Sequence, residues 1–186
     1  MPHSDTLREE FFASGDAAAV QARRTADVDN VVIHAFEETL AVVYKSGLAA
    51  LAVGGYGRRE LFPYSDVDVL LLTDRDLSGS GDRAAVSCFV QKLWDAGLRL
   101  SHSVHTVEEC ATLHMQNIEL NVSLLDMRPL AGDARMFEDL SIRLPKFLRE
   151  EGRNLARHIC RLARPRHDRF QNTVYQLEPD VKEFRQ

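Results

Sequence analysis

Asp66 and Asp68 flank Val67 at the opening of the apolar run VDVLLLT. On a strand, residues i and i+2 point to one face, so the two carboxylates would stand side by side. Like charges that close repel unless something neutralises them, and hard oxygen donors suit Mg2+. Val67, Val69 and Leu71 would then face the core. Taken alone, a D-x-D is more often a solvated turn in which Ser65 and Asp66 only cap. Upstream, Gly54, Gly55 and Gly57 end another apolar run and precede Arg58 and Arg59. Glycines after a strand let backbone amides approach an anion and cradle phosphates, and arginines pair with phosphate oxygens. The stretch is not a P-loop, for it lacks G-K-[ST], and it lacks the G-x-G-x-x-G spacing of dinucleotide-binding folds. A lone GGYG is more often a turn. The combination is stronger than its parts: a strand, a glycine turn with arginine, a short insert and a D-x-D opening a second strand fit metal-assisted phosphoryl or nucleotidyl transfer.

The elements that would position these groups follow from periodicity. Residues 5–48 carry apolar side chains at near-helical spacing, with a break or cap at Gly15 and Asp16 and a stop at Gly47. LAALAVGG and VDVLLLT read as buried strands. The polar loop DRDLSGSGD leads to a helix over about 82–96, stopped by Gly97. LRLSHSVHT alternates as a third strand. Thr106 and Glu109 form a capping-box pattern that predicts a helix over about 107–116. IELNVSLLDMRPLAGD fits either a helix ending at Arg128 or a strand. The chain from Ala134 onward is helical in spacing, with Pro145 and Pro165 expected as breaks.

Composition narrows the function. The 186 residues are 45% hydrophobic and 27% charged, an ordinary globular balance for one domain with a helical appendage. A net charge of −5 argues weakly against a non-specific nucleic-acid binder. Cys88, Cys110 and Cys160 are far apart and show no zinc spacing, so they read as buried thiols in a reducing cytosol. The polar N-terminus is unlike a signal peptide, and no apolar run reaches the roughly 18 residues of a membrane span. A soluble, cytoplasmic protein with no nucleic-acid or membrane partner is expected.

VGGYGRRELFPYSDVDVLLL resembles the signature of the nucleotidyltransferase domain of bacterial PII-protein uridylyltransferases, members of the DNA polymerase β superfamily. The resemblance continues through HSVHTVEEC, LLDMRPLAGD and RHDRFQNTVYQLEPDVKE, and covers roughly Val53 to Glu183. The family more often has G-R-G-E where this chain has Gly57-Arg58-Arg59-Glu60. The fold it implies is α+β and polymerase β-like: a small mixed sheet flanked by helices, with an N-terminal helical segment (1–48), a nucleotidyltransferase core (49–133) and a C-terminal helical segment and tail (134–186). It further implies that Gly54, Gly55 and Arg58 hold phosphates, that Ser65 supports the turn or a phosphate, and that Asp66 and Asp68 bind Mg2+. Asp126 is the best match for a third carboxylate that helps activate the nucleophile, whereas Asp133 reads as a helix cap. Of His102 and His105, His102 matches the family's HSV, but a structural role is expected first for both. Arg128 is expected at the surface or at a cap, with phosphate pairing as the alternative.

The implied reaction moves a uridylyl group from UTP to a tyrosine of a PII signal protein and releases pyrophosphate. Nothing in the motif selects uracil over adenine, so a protein adenylyltransferase of the superfamily is the first rival, and a non-catalytic nucleotide-binding domain the second. Two adjacent, repelling carboxylates count against the latter. The family's phosphohydrolase and glutamine-sensing domains have no counterpart here, and the lone His167-Asp168 lacks companion histidines for a hydrolase site. The chain is therefore expected to be a fragment of a longer protein or a stand-alone transferase, without glutamine control of its own.

Overall fold

The computed structural model describes residues 4–62, 65–113 and 118–169. Its elements run α1 (Ser4–Ser14), α2 (Ala17–Val43), β1 (Leu48–Ala52), α3 (Gly54–Gly57), β2 (Val67–Thr73), α4 (Ser80–Asp95), β3 (Leu100–Thr106), α5 (Val107–Cys110), α6 (Ile118–Ser123), β4 (Arg128–Gly132) and α7 (Ala134–Arg169). The α1–α2 break falls at Gly15, whose φ is +70°. Asp16 caps α2 by accepting a bond from the Ala19 amide at 3.0 Å.

The four strands lie in the order β3-β2-β1-β4. β1 is antiparallel to both β2 and β4, and β2 is parallel to β3. The sheet is small, mixed and flanked by helices, as the resemblance implies. Its two central strands are buried on both faces, which is why they read as continuous apolar runs. Leu48, Ala50, Ala52, Val67, Val69 and Leu71 pack with Val32, Phe36 and Leu40 of α2 and with Phe89 and Leu93 of α4. Ala49, Leu51, Leu70 and Leu72 share the other core with Cys110, Leu120, Leu140, Leu144 and Phe147 from α5, α6 and α7. Burying this much apolar surface on both sides is what fixes the strand register.

Four expectations are changed or resolved. α7 continues through Pro145 and Pro165. Pro145 removes one backbone donor, but Leu140, Leu144 and Phe147 are buried around it, and packing of that stripe outweighs the lost bond. The capping box at Thr106 and Glu109 is present, with amide-to-side-chain bonds of 2.8 and 3.2 Å, yet α5 stops at Cys110. The ambiguous stretch after Ile118 is both things in turn: a short helix, then edge strand β4. Pro129 is tolerated there beside a register shift between Ala50 and Leu51. Of the cysteines only Cys110 is buried, and burial pushes its thiol up to about 12. Cys88 and Cys160 are exposed, against expectation, because their helices turn those positions to solvent. Among the described residues no helix is long and apolar enough to cross a membrane.

Asp133 caps α7 and ties β4 to the start of β1. It accepts from the amides of Gly47 (3.0 Å) and Arg135 (3.2 Å) and from the Arg135 guanidinium at 2.8 Å. The Arg135 side chain first, and the Gly47 amide second, hold its carboxyl well below the usual range. A group so depressed stabilises the fold fully above its unfolded pKa of about 3.9 and loses that contribution as pH falls toward the folded value. Asp133→Asn should therefore lower the denaturant midpoint most near pH 6, with the gap to wild type closing from about pH 4 downward. A gap independent of pH would contradict this role.

Candidate active site

β1 runs straight into α3. Val53 is extended (φ −130°, ψ 164°) and Gly54 turns left-handed at φ +58°, a conformation that favours glycine. The amides of Gly57, Arg58 and Glu60 bond back to the carbonyls of Val53, Gly54 and Gly55 at 2.9–3.1 Å. The first amides of a helix have no carbonyl one turn back, so those of Gly54 and Gly55 have no partner within α3 itself. Gly57 is demanded by contact: a Cβ there would lie 1.8 Å from the Asp126 carbonyl oxygen. Gly55 is not demanded, because a Cβ would meet nothing nearer than 3.8 Å.

Arg59 has φ +65°. The position where the resembled family more often carries glycine is here an arginine held in the left-handed region, at a cost of about 1 kcal/mol. Arg59→Gly is expected to stabilise the chain by up to about 1 kcal/mol in thermal unfolding. A fall in melting temperature would contradict it.

The carboxylates arrive from two directions. Alternation along β2 sets Asp68 on the same face as Leu70 and Leu72, toward α7. The Asp68 carbonyl accepts from the Val53 amide at 3.2 Å, fixing the start of β2 to the glycine turn. A Cβ at Gly54 would lie 3.7 Å from Asp68 Oδ2. Asp66 precedes the strand, and its Oδ1 lies 3.2 Å from Arg99 Nε. Asp126 sits in the link between α6 and β4, where the Arg58 Nη1 group donates to its Oδ2 at 2.6 Å. The Arg58 Nε group donates to Glu60 Oε2 at 3.0 Å. Glu60 first and Asp126 second raise the Arg58 pKa and keep the guanidinium charged.

A cleft of about 710 Å³ opens beside these groups. Gly54, Arg58, Asp68 and Asp126 line it, and Ile159 and Leu162 of α7 form part of its apolar wall. Gly55, Ser65 and Asp66 are not among its lining residues. Ser65 lies in the turn before β2, with its amide donating to the Phe62 carbonyl at 3.0 Å. Among the described residues no three His, Cys, Asp or Glu side chains converge to hold a metal unaided. The donor chemistry nonetheless fits Mg2+, which commonly takes one or two protein carboxylates and completes its shell with water and substrate phosphate oxygens.

His102 and His105 both border the cleft. The register pairs Val69 with His102 and Leu72 with His105, so alternation puts His105, not His102, on the Asp68 face. His105 Nδ1 lies 3.5 Å from Glu109 Oε2, an anchoring contact at the start of α5. Arg128 is neither a surface cap nor a cleft residue. Its Nη2 group donates to Asp29 Oδ1 of α2 at 2.6 Å. Residue spacing carried no sign of this pair, of Arg99 beside Asp66 or of Arg58 against Asp126, since each joins segments distant in sequence. His167 and Asp168 lie outside the described side chains, as does the stretch FQNTVYQLEPDVKE.

No protein-family model matches the chain. Over 98% of its length it is 36% identical to a protein of Burkholderia lata named bifunctional uridylyltransferase/uridylyl-removing enzyme, and 35% identical to one of the same name from Bordetella parapertussis. A relative of that name from Haemophilus influenzae is 36% identical over 83% of the chain. The chain spans only 22% of the length of the first two and 18% of the third. Its whole described fold, glycine turn and paired aspartates included, is thus homologous to one segment, about a fifth, of the bifunctional uridylyltransferase/uridylyl-removing enzymes.

Proposed function

We propose that this chain is a nucleotidyltransferase unit that moves a uridylyl group from UTP to a protein hydroxyl, a tyrosine of a PII signal protein, and releases pyrophosphate. The observation that carries this reading is the convergence of Gly54, Arg58, Asp68 and Asp126 on one cleft from three separate stretches of sequence. The relatives' name, uridylyltransferase, supports a uridylyl group as what is moved; the PII tyrosine as acceptor rests on the motif resemblance.

In this reading the amides of Gly54 and Gly55 and the guanidinium of Arg58 hold the triphosphate. Arg58 exchanges a carboxylate partner for phosphate oxygens as the nucleotide enters, and this leaves Asp126 free to accept the acceptor's proton. Ser65 supports the turn that leads into β2. The hydroxyl oxygen bonds to the α-phosphorus, and the bond from that phosphorus to the oxygen bridging the β-phosphate breaks. Asp66 and Asp68 would hold Mg2+, whose chemistry is to offset the charge that develops on the phosphate oxygens. Ile159 and Leu162 give the cleft an apolar side.

The test is transfer of label from α-labelled UTP to purified PII protein with and without Mg2+, with labelled ATP in parallel. Mg2+-dependent labelling from UTP supports the reading. Labelling from ATP instead makes the chain an adenylyltransferase, and no labelling by folded protein rejects catalysis by this chain.

A further inference from the structure

The glycine turn is held from beneath by residues that do not touch the cleft. Tyr56, at the middle of α3, is fully buried. The Arg128 guanidinium lies 5.0 Å from the centre of its ring, and Nη2 also reaches the Tyr56 carbonyl at 3.4 Å. The same Nη2 group donates to Asp29 at 2.6 Å, and the two side chains are only 14% and 15% exposed. Burial first, and the Asp29 carboxylate second, raise the Tyr56 hydroxyl far above its ordinary pKa. Arg128 pairs in register with Ala52, the last residue of β1 before the turn. It also follows Asp126 by two residues, so one stretch of chain grips α3 twice: the Asp126 carbonyl abuts Gly57 and Arg128 stacks on Tyr56.

We infer that Asp29 and Arg128 form a positioning pair that locks the glycine turn against Asp68 and Asp126. α2 thereby becomes part of the nucleotide site although none of its side chains lines the cleft. The nucleotide part of this inference rests on the nucleotidyl-transfer reading. Two physical points favour position over bulk stability. A buried ion pair gives little net stability, because desolvation offsets the attraction. Arg128 Nε is moreover buried with no hydrogen-bond partner among the described residues, so the guanidinium is incompletely repaid for its burial. What the pair does supply is directional: a planar fork that meets a carboxylate, an aromatic face and a backbone carbonyl together. A lysine has the charge but not that geometry.

The test uses the whole chain with Arg128→Lys, Asp29→Asn and the double variant Asp29→Asn/Arg128→Lys. Hydrogen exchange at the amides of Gly57 and Arg58, without ligand, reads the turn directly. It is expected to quicken tenfold or more in Arg128→Lys, while the amides of Leu51 and Leu70 in the central strands keep their protection. Mg2+-UTP affinity, measured by calorimetry, should fall tenfold or more in the same variant. The double variant should be no worse than Arg128→Lys alone, because Asp29 acts on the turn through Arg128. Uniform loss of protection across turn and strands would assign the pair to general stability and overturn the inference, as would unchanged turn exchange. Should Arg128→Lys fail to fold, Asp29→Asn answers the same two questions. If wild type itself does not bind Mg2+-UTP, the transfer reading fails, and the exchange data alone still decide whether the pair holds the turn.

Discussion

Asp68→Asn should lower the proposed uridylyl transfer at least a thousandfold while leaving the melting temperature within a few degrees of wild type. Asparagine keeps the size of the side chain. The backbone carbonyl that accepts from Val53 at 3.2 Å is untouched, so β2 stays joined to the glycine turn. What is lost is one negative oxygen at the single member of the aspartate pair that lines the cleft. A factor of a thousand corresponds to about 4 kcal/mol of transition-state stabilisation, the scale expected when a catalytic cation loses a carboxylate ligand. Stability should change little, because Asp68 is only half-buried at the cleft and the asparagine fills the same space. Transfer rates and thermal unfolding measured on one preparation check both halves. A variant that retains a tenth of wild-type activity would remove Asp68 from the metal site.

Gly57→Ala should be the most damaging single change to the fold among those considered. The added methyl carbon would sit 1.8 Å from the Asp126 carbonyl oxygen, 2.7 Å from its carbon and 3.1 Å from the Ala52 oxygen. All three are backbone atoms, so no side-chain rotation relieves the overlap. Either α3 or the α6–β4 link must move. Overpacking of this kind costs about 3 kcal/mol or more, a fall of roughly 6–12 °C in melting temperature for a chain of this size. Nucleotide affinity should drop as well, since the displaced segments carry Arg58 and Asp126. Gly55→Ala is the control: its Cβ has room, so the fold should hold within about 0.5–1 kcal/mol. Equal melting temperatures for the two variants would contradict the close approach at Gly57.

Local features of this protein were readable from residue order, and contacts across long loops were not. β1 and β2 declared themselves as apolar runs, and the Thr106–Glu109 box and the Asp16 cap are short-range hydrogen bonds that neighbouring residue types determine. Pro145 does not break α7 because local propensity says nothing of the stripe that packs on the sheet around it. Asp126 was legible only through the family resemblance. Its place in the cleft depends on a backbone contact with Gly57 across 69 positions, which no periodicity encodes. Arg128 was misjudged for the same reason, because its partner Asp29 lies 99 residues away. The Arg59 departure, by contrast, gains a physical meaning only from its positive φ.

On the proposed function, the aspartate pair and the glycine turn make one metal-dependent nucleotide site. Calorimetric titration of UTP into wild type and into Asp66→Asn/Asp68→Asn, each with and without Mg2+, tests it most directly. Mg2+ should tighten UTP binding to wild type tenfold or more and leave the double variant unchanged. Equal tightening in both proteins, or none in wild type, would contradict it.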